Sequence, residues 1–376
     1  MNFGFDEQQT GLAETIAQVL ADYPALRAPD PAEADNGAVW DALAELGLLA
    51  LIVSEQYGGV GLSLVDVALS IEALGAGLAP PLIADTIIAT DVIEKFGTAP
   101  QQADLLPRIA RGEVRIATAI LEGGRGYDPQ KIEASIDGKR LVATKILVPS
   151  ALDATHFLAL ARAAGGLRLA LIPNGPRTAT LRRHDDLDPS SGFCEVVFEG
   201  ASLMDDAILG HKAADAAVGR FLDVAATVYA GLQLGIAARM LDASVEYART
   251  RIQFGQPIGA FQAIKHRCAD MAVAVEAGRS AAYYAFWAVA EDAPDRSRAS
   301  SMAKAYCGEV ARDACNEAIQ IHGGMGFTWE LGLHRFLRRA KVLEHGFGNH
   351  VWHYERVVDA TLAALGHETV DQRDAA

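Results

Sequence analysis

Cysteine is scarce: four in 376 residues. Cys194, Cys268, Cys307 and Cys315 include no C-x-x-C pair, so neither a disulfide framework nor a metal cage is expected. The last three fall in helical patterns and are expected as small buried hydrophobes. Positive charge is also short, with 33 Lys and Arg against 48 Asp and Glu, a net charge of -15 and a pI near 5.1. That balance excludes a nucleic-acid partner, which needs clustered cations, but says little about small anionic ligands, which need only a local patch. No run of eighteen apolar residues occurs, so no membrane span is expected. The opening "MNFGFDEQQTGLAETIAQVLADY" lacks a basic n-region and an apolar h-region, so no secretory leader is expected and a reduced, cytoplasmic location is. Internal repeats and low-complexity tracts are missing too.

What is present is a globular composition, 51% hydrophobic and 22% charged, long enough for two or three domain-sized units. Residues 1–112 read as short helices: "AVWDALAELGLLAL" and "SLVDVALSIEALGAGL" carry apolar residues at three- and four-residue spacing. Breakers separate them at Pro29 and Pro31, Gly58-Gly59-Val60-Gly61, Pro80-Pro81, and Gly97 with Pro100. Residues 113–212 change period. "VRIATAILE", "KIEASIDG", "RLVATKILVPS", "THFLALAR", "LRLALIP" and "FCEVVFEG" are short, β-branched and punctuated by turn residues, which predicts an antiparallel barrel or sandwich. Residues 213–376 are helical again. Val224, Val228, Leu232, Ile236 and Met240 repeat along one face, and further helices are predicted over about 262–291 and 296–321, the last stopped by Gly323-Gly324. Long helices with short connections predict an antiparallel bundle.

Two stretches could carry chemistry. In "RTRIQFGQPIGAFQAIKHRCADM" a Gly- and Pro-containing turn joins two long helices. A plain helix–helix turn accounts for it, yet Arg249, Arg251, Gln253 and Phe254 surround the turn and Gln262 opens the next helix. Fixed positive charge, an amide, a ring and a helix N-terminus together suit a pyrophosphate. In "QIHGGMGFTWE" the glycine pair makes a helix stop. Gly323 and Gly324 would also let a ligand approach the backbone, with Gln320 offering amide contacts.

In this order and on this architecture, the two stretches resemble the acyl-CoA dehydrogenase family, over essentially the whole chain. The resemblance implies an N-terminal helical domain, a middle β-domain and a C-terminal four-helix bundle, commonly in tetramers. It implies FAD as cofactor, taking a hydride from an acyl-CoA thioester, with an electron-transfer flavoprotein as acceptor. It further implies that Arg251, Gln253 and Phe254 contact the pyrophosphate and adenosine half of an FAD lying mainly in another subunit. Gln320, Gly323 and Gly324 would contact the same cofactor, and Gln262 is a further member of the group.

The same resemblance shows what this chain lacks. The chemistry needs a carboxylate to remove the α-proton. The family's glutamate position matches Phe347 in "EHGFGNH", followed by Gly348 and Asn349, which match the family's Gly and a polar residue that touch FAD. The alternative glutamate position matches Ala225. Glu344, Asp223 and His345 are the neighbouring groups that could act as a displaced base. The middle domain departs as well: "LEGGRGYD" stands where a Glu-Pro-Gly segment with a flavin-contacting Ser or Thr is usual, and Leu147 and Pro149 replace a Trp-x-Thr. The pattern resembles the base-less subunit of heterotetrameric bacterial acyl-CoA dehydrogenases of sterol and fatty acyl breakdown. Alternatives are a self-sufficient dehydrogenase with a displaced base, a flavin monooxygenase on the same fold, and a non-catalytic structural subunit. The run Arg335, Arg338, Arg339 and Lys341 is expected as a solvated helix face, Trp329 and Trp352 as packing anchors, and His350 and His353 as non-metal histidines.

Overall fold

The computed structural model describes residues 5–23, 36–124, 126–204, 206–210 and 213–366; Pro29, Pro31 and Arg125 lie outside them. Five helices come first: α1 (Glu7–Ala21), α2 (Asn36–Glu45), α3 (Ala68–Ala76), α4 (Pro81–Phe96) and α5 (Ala99–Ala110). Eight strands follow: β1 (Ile116–Ala119), β2 (Ser135–Asp137), β3 (Arg140–Val148), β4 (His156–Ala163), β5 (Gly166–Pro173), β6 (Thr180–Arg183), β7 (Cys194–Ser202) and β8 (Ile208–Leu209). The long helix α6 (Ala214–Thr250) leads to a hairpin, β9 (Ile252–Gln253) and β10 (Gln256–Pro257), and then to α7 (Gln262–Ala290), α8 (Arg296–His322), α9 (Leu333–His345) and α10 (His350–Ala364). By internal contacts the chain forms two compact units: residues 1–33, 64–78 and 226–376, and residues 34–63 and 79–225. The first 112 residues thus contribute to both.

The unit 34–63 with 79–225 is built on one eight-stranded sheet, ordered β6-β7-β3-β2-β4-β5-β8 with β1 on β4. Most pairs are antiparallel, as expected, but β1 and β2 run parallel to β4. Neither is joined to β4 by a tight turn, so nothing forces the antiparallel sense. Helix α4, buried from Pro81 to Ile93, packs on β1 and is pinned there by polar groups. Asp85 accepts from the Thr118 amide and hydroxyl at 2.8 and 2.7 Å, and the Thr86 hydroxyl accepts from the Ile116 amide at 3.0 Å. Phe157 and Phe198 meet edge to face in the sheet core, with centroids 5.8 Å apart.

A buried ion pair sits in this unit at the segments where the resemblance expects flavin contacts. Lys145 Nζ donates to Glu122 Oε1 at 2.7 Å and to the carbonyls of Ile120 and Leu160 at 3.1 and 2.7 Å. Glu122 also accepts from the amides of Glu133 and Ala134 at 2.7 and 2.9 Å. Burial pulls the Lys145 ammonium below its usual range, with Glu122 working against it. Burial works to raise the Glu122 carboxyl, but Lys145 and the two amides outweigh it and hold the carboxyl below its usual range. Lys145→Met strands two carbonyls and a buried carboxylate at once. The expected cost is about 3–5 kcal/mol, read by denaturant unfolding of this unit.

In the other unit α3 and α6 touch backbone to backbone. A Cβ on Gly235 would lie 1.9 Å from the Glu72 carbonyl oxygen, and one on Gly75 2.0 Å from that of Leu232, so only glycine allows the approach. Helices α7, α9 and α10 pack on α8. Val228, Leu232, Ile236 and Met240 of the predicted stripe are buried, as is Val224. By length and composition α6 alone could cross a membrane among the described residues, but 94% of its most apolar window is buried in the protein, as in a core helix.

Candidate functional site

Three chain segments converge at one end of the helices. At the C-terminus of α6, Arg251 N–H donates to the Tyr247 carbonyl at 2.8 Å, and the Tyr247 ring stacks on His322, the last residue of α8, with centroids 4.2 Å apart. Arg267, one turn and a half into α7, pairs with Glu317 of α8, which draws the start of α7 to the same place. Arg251, Gln253, Phe254, Gln262, Gln320, Gly323 and Gly324 therefore share one end of these helices, all of them exposed. Sequence reading missed Tyr247 and His322 because nothing in a helical pattern says that two rings on distant helices will stack.

The geometry there suits an anionic, partly aromatic ligand. Phe254 and Gly255 form the tip of the β9–β10 hairpin with φ of +51° and +79°. A left-handed phenylalanine is costly, about 1–2 kcal/mol, and its ring is 92% exposed, so the strain presents the ring outward without adding to the core. The Arg251 side chain makes no ion pair with the described residues. Helix α7 starts behind Phe261 without a side-chain cap, which leaves its first N–H groups open. Cβ atoms on Gly323 or Gly324 would meet nothing within 4 Å. A free guanidinium, an uncapped helix start and an open backbone ledge fit the pyrophosphate and adenosine end of a dinucleotide.

Gly348 and Asn349 lie elsewhere. Lys304 of α8 donates to the carbonyls of Glu344 and Gly348, both at 3.2 Å, and Gln320 is a further sixteen residues along the same helix, about 24 Å at helical rise. One protomer thus separates the two sets. The 346–349 loop is packed closely. Cβ atoms on Gly346 and Gly348 would strike Tyr229 at 2.6 Å and Trp352 at 2.3 Å. Phe347 between them has φ +56°, is 4% exposed, and meets Tyr229 edge to face at 4.7 Å. The Asn349 side chain accepts from Trp352 N–H at 3.0 Å and caps α10.

The three alternative acids and bases differ in setting. Glu344 is buried, and its carboxylate oxygens are engaged by Arg312 at 2.8 Å and Lys341 at 3.3 Å, with His350 at 3.8 Å. His345 is exposed, and Asp223 and Ala225 are completely buried in α6. Two basic groups lie beneath the loop: Lys304, which sequence reading passed over, and His353, which it read only as a non-metal histidine. Lys304 is buried, and desolvation, opposed by Glu344, brings its ammonium down to about 7. The signal was its phase with Ser300 and Gly308 on the core face of α8. His353 is also buried, its Nε2 3.1 Å from the Phe347 carbonyl, and desolvation with the nearby Lys304 charge pushes it down to about 2.

The Lys304 shift has a consequence for stability. The folded chain releases this proton near 7 and the unfolded chain near the ordinary lysine value of about 10.4. Between those values the unfolded chain binds more protons, so the Lys304 contribution rises with pH by up to about 1.4 kcal/mol per unit. Denaturant unfolding at pH 7, 8 and 9 is expected to show wild type gaining on Lys304→Met across that window.

Other expectations change in detail. Arg335 and Arg339 are buried, because the α9 face they occupy turns inward. Trp329 is half exposed, with the Arg338 guanidinium over its ring, so it anchors no core. Cys268 is only half-buried. In the other unit, Leu147 takes a left-handed backbone with φ +51° in the β3 bulge between Lys145 and Val148, where β3 pairs with β7.

Helices, a β-sheet and a long-helix bundle follow one another along the chain, and the comparisons with known proteins say which family has this order. The sequence matches the N-terminal domain of acyl-CoA dehydrogenases over residues 6–113 and their C-terminal domain over residues 201–362. It is 30% identical over 329 residues to the probable acyl-CoA dehydrogenase YngJ of Bacillus subtilis, covering 81% of this chain and 84% of that protein. The fold matches butyryl-CoA dehydrogenase from Megasphaera elsdenii with a TM-score of 0.87 at 25% identity, over 96% of this chain and all of that one. A Tcur3481-Tcur3483 steroid acyl-CoA dehydrogenase variant matches with a TM-score of 0.86 at 29% identity, over 96% and 99%. The chain belongs to the acyl-CoA dehydrogenase family. It is an FAD-dependent flavoprotein oxidoreductase acting on CH–CH bonds, and its reaction is α,β-dehydrogenation of an acyl-CoA thioester.

Proposed function

We propose that this chain works as the subunit of a heteromeric acyl-CoA dehydrogenase that completes a partner's FAD site, while the partner supplies the catalytic base. One observation carries the reading: the family's base position holds Phe347, buried against Tyr229, while the residues for the far end of the cofactor stay exposed. Bound FAD supplies the hydride acceptor for the dehydrogenation. Arg251 places fixed positive charge at the pyrophosphate, Phe254 offers a ring to the adenosine half, and Gln253, Gln262 and Gln320 offer amides. Gly323 and Gly324 let the ligand reach the backbone. The roughly 24 Å along α8 between this end and the Phe347 loop suits a cofactor shared between protomers. The two-part name of the steroid dehydrogenase relative supports a heteromer, which we place as a tetramer in the cytoplasm, in sterol or fatty acyl breakdown, with an electron-transfer flavoprotein as acceptor.

The test is reconstitution. Co-expression with a base-bearing homologue is expected to give a mixed assembly with acyl-CoA-dependent dye reduction. Replacing the homologue's glutamate with glutamine is expected to abolish turnover. Turnover that survives that replacement, and is lost instead on Glu344→Gln in this chain, would establish the self-sufficient alternative.

A further inference from the structure

The Phe347 loop is held more firmly than a vestige needs to be. Its backbone is left-handed at two consecutive residues, Phe347 with φ +56° and Gly348 with φ +107°. Three of its carbonyls are gripped by buried basic side chains. Lys304 Nζ, from α8, reaches those of Glu344 and Gly348, both at 3.2 Å. His353 Nε2, from the first turn of α10, lies 3.1 Å from that of Phe347. A carbonyl only accepts, so His353 must carry its proton on Nε2, which leaves Nδ1 as a bare nitrogen. That nitrogen is buried with no hydrogen-bond partner, a cost tolerated where the other nitrogen has work to do. A Cβ on Gly348 would also come within 3.1 Å of His353 Nε2, so the glycine and the imidazole fit as a pair.

We propose that Lys304 and His353 are positioning residues. They lock the 344–348 backbone so that Phe347 stays on Tyr229 while Gly348 and Asn349 keep a fixed place at the cofactor. The functional half of this inference rests on the proposed role as a cofactor-completing subunit; the lock itself does not. Neither side chain touches substrate or flavin in this account. Each acts through the loop, and the loop's remaining task is to support FAD without transferring a proton. The strained backbone persists because two helices over-determine it.

Hydrogen exchange on the full chain separates the lock from ordinary packing. Two amides report on it: Gly346 N–H, bonded to the Val342 carbonyl at 3.0 Å, and Trp352 N–H, bonded to Asn349 Oδ1 at 3.0 Å. His353→Leu, which keeps bulk but removes the donor, is expected to speed exchange at both at least tenfold. His353→Gln, whose Nε2 can still donate to the Phe347 carbonyl, is expected to restore most of the protection. In the reconstituted complex His353→Leu should raise the FAD dissociation constant severalfold and His353→Gln should not. Lys304→Met serves as the second variant if His353→Leu fails to fold. Unchanged exchange in His353→Leu, or equal effects of Leu and Gln, would overturn the lock. Faster exchange with unaltered FAD retention would overturn the positioning role. Exchange is read on the isolated chain, so it decides the lock even if reconstitution shows that the chain has its own base.

Discussion

Arg251→Ala is expected to weaken FAD retention by the assembled complex about ten- to a hundredfold. A hydrogen bond from a charged donor to an anion contributes about 1.5–3 kcal/mol. The free Arg251 side chain, with no internal ion pair to lose, has that whole interaction available for a ligand. For the same reason the substitution should leave the chain's own stability within about 0.5 kcal/mol of wild type, as surface changes usually do. Equilibrium dialysis of FAD against the complex, beside a melting curve of the chain alone, reads both. A complex that keeps its flavin would show Arg251 to be ordinary surface and the cofactor-completing role to be wrong. Phe254→Ala is the aromatic counterpart: the ring is 92% exposed, so its removal is likewise expected to leave the chain's own stability nearly unchanged.

Phe347→Glu is expected to fail as a repair. It places a carboxylate at the family's base position, yet the side chain there is 4% exposed and faces Tyr229 at 4.7 Å. The edge-to-face contact, worth about 0.5–1.5 kcal/mol beyond burial, is lost. A charge is buried without a dedicated partner, and the total expected loss is about 3–5 kcal/mol. The variant should unfold at lower denaturant and still not reduce flavin when acyl-CoA is added to the isolated chain. Phe347→Leu, which keeps an apolar side chain, should cost only about 1 kcal/mol. A stable Phe347→Glu chain with new acyl-CoA-dependent flavin bleaching would mean that the flavin site of this protomer is intact and only the base was missing.

Much of this was legible in the residues. Helices α6, α7 and α8 follow from a four-residue apolar repeat and from the Gly323-Gly324 stop, and the change to short β-branched runs marks the sheet. Strands β6 and β8 escaped notice because one is polar and the other two residues long, too little to carry a period. The β9–β10 hairpin hid inside a turn whose tip is phenylalanine, where asparagine would be usual. The parallel pairing of β1 and β2 with β4 depends on partners distant in sequence. The candidate cofactor residues were visible as residue types at a helix junction. Burial of Lys145, Lys304 and His353 was not, since a lone basic residue looks like surface until its carbonyl partners are known. The stacking of Tyr247 on His322, which brings the two cofactor stretches together, likewise exists only in three dimensions.

In the proposed heteromer this chain completes another protomer's FAD, and the dehydrogenation uses the partner's base. The purified chain alone tests it most directly, by its visible flavin spectrum, FAD counted per protomer, and anaerobic addition of a mixture of acyl-CoAs. Far less than one FAD per chain and no bleaching are expected, with both restored by a base-bearing homologue. Stoichiometric FAD that bleaches in the isolated chain would contradict it and would place a working base among this chain's own residues.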